Sequence, residues 1–201
     1  MKLMSNINMV KNRKFTVSLI VLILLIMILL ISSNWFWDSL SPIVYKDLLY
    51  KYAGRYKIDP LLIAAIIKNE STFNPLATSR AGALGLMQIM PSTAEELAHE
   101  LKIDYVNTDE LYKPEINIHF GFYYITKLQK RYNGNIVFTL AAYNAGTKKA
   151  DEWMSRFKGE EEESIKYITF PETKQFALKV LSTYKWFKFI RKIKRTLQLK
   201  G

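Results

Sequence analysis

The stretch DPLLIAAIIKNESTFNPLATSRAGALGLMQIMP, residues 59–91, decides how the rest of the chain must be arranged. Asp59 followed by Pro60 is a helix start, an N-cap acid and then proline at the first helical position. Residues 61–67 are apolar without a break, so this helix is hydrophobic nearly all round and belongs in an interior. Glu70 is the first acid after Asp59 and stands where the helix gives way to a polar Ser-Thr-Phe-Asn-Pro turn. A carboxylate at a helix C-terminus opposes the macrodipole, and apolar flanks would add a desolvation cost. Both effects favour the protonated form, which is the form a general acid needs near neutral pH. Glu70 is therefore the candidate catalytic residue. Beyond it the chain is irregular, and Gly82 and Gly85 permit positive φ or close backbone approach.

Composition narrows the chemistry. The 201 residues fit one domain with accessories, and they carry a net charge of +11 with no cysteine. Without cysteine there is no disulfide framework, no thiolate metal site and no acylated-cysteine anchor. His99 and His119 are isolated in sequence and poor material for a metal centre, so neither a metal nor another cofactor is expected. The positive charge implies an anionic partner, without choosing among lipid headgroups, cell-wall polymers and nucleic acid.

Working outward, residues 15–31 read FTVSLIVLILLIMILLI, and no charge follows until Asp38. Such a run, about twenty residues long, crosses a bilayer core as a helix. Lys11, Arg13 and Lys14 precede it, and Trp35, Phe36 and Trp37 follow it as interfacial aromatics. A cleaved signal peptide is the competing reading, but the apolar core is long and no small-x-small site is evident. The expectation is a single-pass anchor with the N-terminus cytoplasmic and everything after Trp37 outside. The organisation expected is a cytoplasmic segment at 1–14, an anchor at 15–37, a helical domain at 42–187 and a basic tail at 188–201.

Within that domain Ser41-Pro42 signals a helix start, with Ile43, Val44, Leu48, Leu49 and Tyr52 at helical spacing. Ser92 with Glu95 reads as a capping box for a helix to about His99, and residues 102–114 as a surface loop with a helical turn. Ile118, Phe122, Ile125 and Leu128 mark a long helix stopped at Asn133-Gly134. Residues 136–144 form another, ended by Gly146, and residues 158–163 read as a solvated loop. The last helix runs from about Glu172 with Phe176, Val180, Leu181, Tyr184 and Phe187 on one face. No useful β-alternation appears, so the fold class is mainly α with little or no β, a small hairpin near 82–88 at most.

Four pieces together resemble the soluble-lytic-transglycosylase domain: Glu70-Ser71, GLMQIMP at 85–91, AYNAG at 142–146 and FPETKQF at 170–176. The similarity runs from about Ile43 to Phe187, and PEINIHFG at 114–121 resembles the family's scaffold between those motifs. It implies a lysozyme-like helical fold and cleavage of peptidoglycan between N-acetylmuramic acid and N-acetylglucosamine. Glu70 maps onto the family's single glutamate, acting first as acid on the glycosidic oxygen and then as base on the muramic C6 hydroxyl. Attack of that hydroxyl on C1 would give a 1,6-anhydro end. An ordinary glycosidase uses two carboxylates, and residues 71–94 offer none before the helical acids that follow.

The resemblance assigns Ser79 to the muramic N-acetyl group, Gln88 and Met90 to the sugar cleft, and Tyr143 and Asn144 to the acid or substrate. Glu172 is expected to be structural. Phe176 stands where the family commonly has tyrosine, which bears on how Glu70 is tuned. After Glu172 no acid appears, and the basic tail with its interleaved aromatics reads as a contact for anionic lipid or wall polymer, or as a solvated helix end. The anchor argues against nucleic acid. Two alternatives stand beside a lytic transglycosylase: a goose-type-lysozyme-like hydrolase of the same bond, and a non-catalytic peptidoglycan-binding envelope protein.

Overall fold

The apolar run at 61–67 forms a helix because its start is specified twice. The Asp59 carboxylate accepts from Leu61 N at 3.0 Å, and Pro60 sits where no intrahelical donor is needed. In the computed structural model, which describes residues 2–41, 43–105 and 107–197, every residue from 61 to 67 is buried. This stretch of the helix thus lies wholly inside the core.

In chain order the α-helices are α1 (Lys2–Ser32), α2 (Asn34–Leu40), α3 (Lys46–Tyr56), α4 (Pro60–Glu70), α5 (Pro91–Leu101), α6 (Pro114–Arg131), α7 (Ile136–Ala145), α8 (Thr147–Arg156) and α9 (Pro171–Thr196). Two 3₁₀ helices, Thr108–Tyr112 and Glu161–Tyr167, fall between them. Among the described residues there is no strand, so the fold class is mainly α as the sequence implied. The hairpin expected near 82–88 reduces to two isolated bridges, Thr78 with Leu84 and Leu84 with Ile89.

The chain divides into two units, one of residues 43–188 and one of residues 1–42 with 189–201. In the first, α3 packs on α4 and α6, α6 on α5 and α7, and α7 on α8. The positions read as the buried face of α6, Ile118, Phe122, Ile125 and Leu128, are all in the core. So are Val180 and Phe187 of α9, with Phe176, Leu181 and Tyr184 half-buried against it. Tyr184 donates to Asp59 Oδ2 at 3.0 Å, fastening α9 to the start of α4.

Four boundaries differ from expectation, each because a tertiary or stereochemical constraint outweighs a local signal. Helix α3 begins at Lys46 after a left-handed Tyr45 (φ 60°), not at Ser41; Pro42 lies outside the described residues. Helix α5 begins at Pro91 with Met90 as N-cap, so Ser92 is already inside the first turn and the Ser92–Glu95 capping box does not form. Proline's fixed φ and missing N–H suit the first position and displace the start by two residues. Helix α8 carried no marked start: Gly146, at φ 84°, serves both as the end of α7 and the beginning of α8. The acidic stretch read as solvated loop winds into the second 3₁₀ helix, where Glu161 accepts from Ile136 N at 2.7 Å and Ser164 is buried against Asn135. Asn135 itself caps α7 through Phe138 N.

In the other unit, α1 contains an 18-residue apolar segment, Phe15–Ser32, long enough to cross a membrane and with none of it buried. Its end is tied to α2 by Trp37, whose indole N–H donates to Ile31 O at 2.6 Å.

Candidate active site

Glu70 ends α4, and the chain turns away from it at once. Ser71 closes the helix by donating its backbone N–H to Ile67 O, while its hydroxyl reaches Leu86 O at 2.8 Å. Thr72 and Phe73 then both adopt left-handed backbone (φ 53° and 63°), a conformation that costs non-glycine residues about 1 kcal/mol or more. Phe73 is buried, so the turn is held by packing. The Glu70 side chain is left half-buried, with no hydrogen bond or ion pair among the described residues. Burial alone pushes its carboxyl up from an ordinary 4.5 to about 7. No neighbouring charge is among the causes, so this acid behaves as an isolated carboxyl in an apolar setting.

The segment from 77 to 90 folds back over that acid end as a strap, and its shape is set by glycine and by one amide. Gly85 has φ 76°, and a methyl there would overlap Leu111 O and the Asn117 side chain. Asn117, fully buried on α6, accepts from Met87 N at 2.7 Å and donates to Leu84 O at 2.9 Å and Leu111 O at 2.8 Å. The bonds to Met87 N and Leu111 O satisfy groups that have no other hydrogen bond in the core among the described residues, while Leu84 O also accepts from Ile89 N at 3.0 Å. Gly121, one turn on, lets Met87 lie against α6; a methyl there would overlap Met87 Sδ.

Tyr143 arrives from the end of α7 and donates its hydroxyl to Met87 O. Its ionisation is pushed far up by burial first, then by the charge of Glu70 and by Tyr124, so the phenol stays protonated beside the acid. Two rings flank it: Tyr124 of α6 at 5.7 Å between centroids, and Phe176 of α9 at 6.3 Å and nearly parallel. Asn144 is exposed, and its Oδ1 accepts from the buried Thr173 hydroxyl at 2.7 Å.

The sequence candidates separate into two groups. Glu70 and Tyr143 come close enough for the charge of the acid to raise the phenol's ionisation, although no hydrogen bond joins them among the described residues. Ser79, Gln88, Met90 and Asn144 make no hydrogen bond to Glu70 among the described residues. Ser79 Oγ accepts from Ala83 N at 2.9 Å and shapes the turn that contains Gly82, keeping its own proton to donate. Gln88 adopts φ 45° and donates from its amide nitrogen to Gly85 O (2.8 Å) and Ala77 O (3.1 Å). Met90 is 40% exposed at the foot of α5. Glu172 is exposed in the first turn of α9, and it is the neighbouring Thr173 that ties this helix to the site. No group of three or more His, Cys, Asp or Glu is placed to hold a metal ion among the described residues.

Asn117, Tyr124 and Thr173 were not singled out in the sequence. Asn117 did leave a signal: it is a lone amide on the apolar face of α6, four residues before Gly121. Thr173 left none beyond its neighbour in Pro-Glu-Thr.

Residues 47–166 match the family described as transglycosylase SLT domain. The soluble lytic murein transglycosylase of Escherichia coli K12 is 33% identical over 167 residues, covering 80% of this chain and 26% of that protein. The membrane-bound lytic murein transglycosylase C of Edwardsiella ictaluri is 38% identical over 125 residues, covering 58% of this chain and 35% of that protein. The crystal structure of the 70 kDa soluble lytic transglycosylase from Escherichia coli superposes with a TM-score of 0.73 at 32% identity, over 81% of this chain and 27% of that one. The chain thus spans about a quarter of the length of the soluble relatives it matches. A helical core that encloses α4, with an isolated acid at its end and a match over residues 47–166, places the chain in the transglycosylase SLT domain family.

Proposed function

We propose that the protein is a membrane-anchored lytic transglycosylase that cleaves peptidoglycan glycan strands without water. The observation that carries this reading is the isolated Glu70 carboxyl, held up to about 7 by burial alone. A group with that value is substantially protonated at neutral pH and also able to give up and regain its proton, as one residue acting twice requires.

In the first step Glu70 delivers its proton to the glycosidic oxygen as the muramic C1–O bond breaks. The carboxylate so formed then takes the proton of the muramic C6 hydroxyl, whose oxygen bonds to C1 and closes the 1,6-anhydro ring. Glu70 ends protonated, ready for another turnover. Positive charge developing at C1 is relieved by the substrate's own N-acetyl oxygen, and the Ser79 hydroxyl orients that group. Tyr143, locked on Met87 O and kept neutral, stands beside Glu70 without competing for its charge state. The Gln88 amide oxygen, Met90 and Asn144 line the sugar cleft. The roles of these residues rest on the family resemblance together with the placements described.

The apolar segment of α1 serves as a single-pass anchor, with the basic residues before it on the cytoplasmic side and the helical domain facing the wall. Digestion of purified sacculi by the protein, followed by mass spectrometry of the muropeptides, tests the reaction. Anhydro ends, lighter by one water than reducing ends, are expected; reducing ends would make the enzyme a hydrolase, and intact glycan would make it a binding protein.

A further inference from the structure

The end of α9 carries a surface that the glycan chemistry does not use. From residue 189 onward the helix belongs to the same unit as α1 and α2, and its inward face is fixed there. Ile190 is buried, as is Trp37 of α2, and Lys194 is 9% exposed with its ammonium 3.1 Å from Asp38 of α2. With Ile190 and Lys194 turned inward, the outward face is sorted by chemistry. Phe189, Ile193 and Leu197 follow at intervals of four, an apolar row along the end of the helix and the turn residue just past it; Phe189 is 52% and Leu197 44% exposed, and Ile193 half-buried. Beside that row stand the exposed cations Lys192 and Arg195, and no acid occurs after Glu172.

We propose that residues 189–197 form a contact for an anionic lipid surface. The apolar row enters the headgroup layer, and Lys192 and Arg195 bind lipid phosphates. Two observations select lipid. First, a hydrated polyanion such as a wall polymer would engage the cations and leave the apolar row wet, whereas a bilayer interface covers both. Second, the Asp38–Lys194 pair and the Trp37–Ile31 bond fasten this helix end and the end of the apolar segment to the same short helix, α2. The proposal rests on reading α1 as a membrane span.

The chain has no cysteine, so Leu197→Cys offers one labelling site for an environment-sensitive fluorophore. The full chain is placed in phosphatidylcholine discs with and without phosphatidylglycerol, and quenching by spin-labelled lipid is compared with quenching by a soluble agent. Lipid-side quenching is expected in the phosphatidylglycerol discs. Lys192→Ala combined with Arg195→Ala, both at exposed positions, should lower the ratio of docked to undocked tail by about 30-fold, from about 1 kcal/mol per basic residue. A label that stays open to the soluble quencher in phosphatidylglycerol discs, or is protected only when wall polymer is added, overturns this surface alone. A chain that does not enter discs at all overturns the span, and this surface with it.

Discussion

Replacing Glu70 by glutamine removes the titration while keeping the shape, and the structure fixes how stability should respond to pH. In the folded protein the carboxyl is raised from 4.5 to about 7 by burial, so folding favours its protonated form. The sign follows from linkage. The contribution is fully present below about 4.5, is lost progressively as pH rises towards about 7, and is constant above that. At about 1.4 kcal/mol per pH unit the loss amounts to about 3 kcal/mol, and residual water access to the half-buried carboxyl makes that an upper figure. Glu70→Gln has no such dependence. The variant and the natural protein should therefore be equally stable near pH 4, with the variant more stable by about 2–3 kcal/mol at pH 8. Denaturant unfolding of the full chain in non-ionic detergent, followed by near-ultraviolet circular dichroism across this pH range, measures the gap. In the proposed mechanism the same ionisation limits catalysis, so the natural protein's kcat/KM should fall about tenfold per pH unit above about 7 while Glu70→Gln is inactive throughout. A stability gap that stays flat between pH 4.5 and 8 would refute the buried, isolated carboxyl, whatever the activity shows.

Asn117→Ala should cost about 2 kcal/mol or more, because it strands Met87 N–H and Leu111 O in the core and removes a second bond from Leu84 O; denaturant midpoints and a loss of sacculus digestion check it. Gly121→Ala should cost about 1–3 kcal/mol through overlap with Met87 Sδ, and adding Met87→Ala should return part of that loss, a coupling that a double-mutant cycle measures. Thr173→Val should cost about 1 kcal/mol and raise KM more than it lowers kcat, because it frees the Asn144 amide without touching Glu70; steady-state turnover of sacculi separates the two constants.

Much of the helical framework is written locally. Asp59-Pro60 starts α4, 61–67 buries it, and the i, i+4, i+7 row in α6 faces inward, because caps and periodicity are properties of neighbouring residues. Where two local signals overlap the stereochemically stricter one prevails, which is why Pro91 sets the start of α5 and the Ser92–Glu95 pair does not. Helix α8 was hidden for a related reason: the glycine that ends α7 leaves no separate mark for the start of the next helix.

The sequence alone placed an acid at the end of a buried helix, named the strap and the AYNAG end as its neighbours, and excluded thiolate chemistry. Only the tertiary structure decided what state that acid is in. Its raised pKa comes from burial rather than from any partner, and burial is supplied by elements distant in the chain. Tyr143 reaches the strap across 56 residues and Asn117 across 30, bonds that no local pattern specifies. The Gln88 nitrogen, a natural candidate for gripping sugar, is taken by the strap's own carbonyls for the same reason. Local sequence determines where a helix begins and which face is apolar; desolvation and the pairing of buried polar groups depend on everything that encloses them, and these are what turn the Glu70 of residues 59–91 into an acid poised near neutral pH.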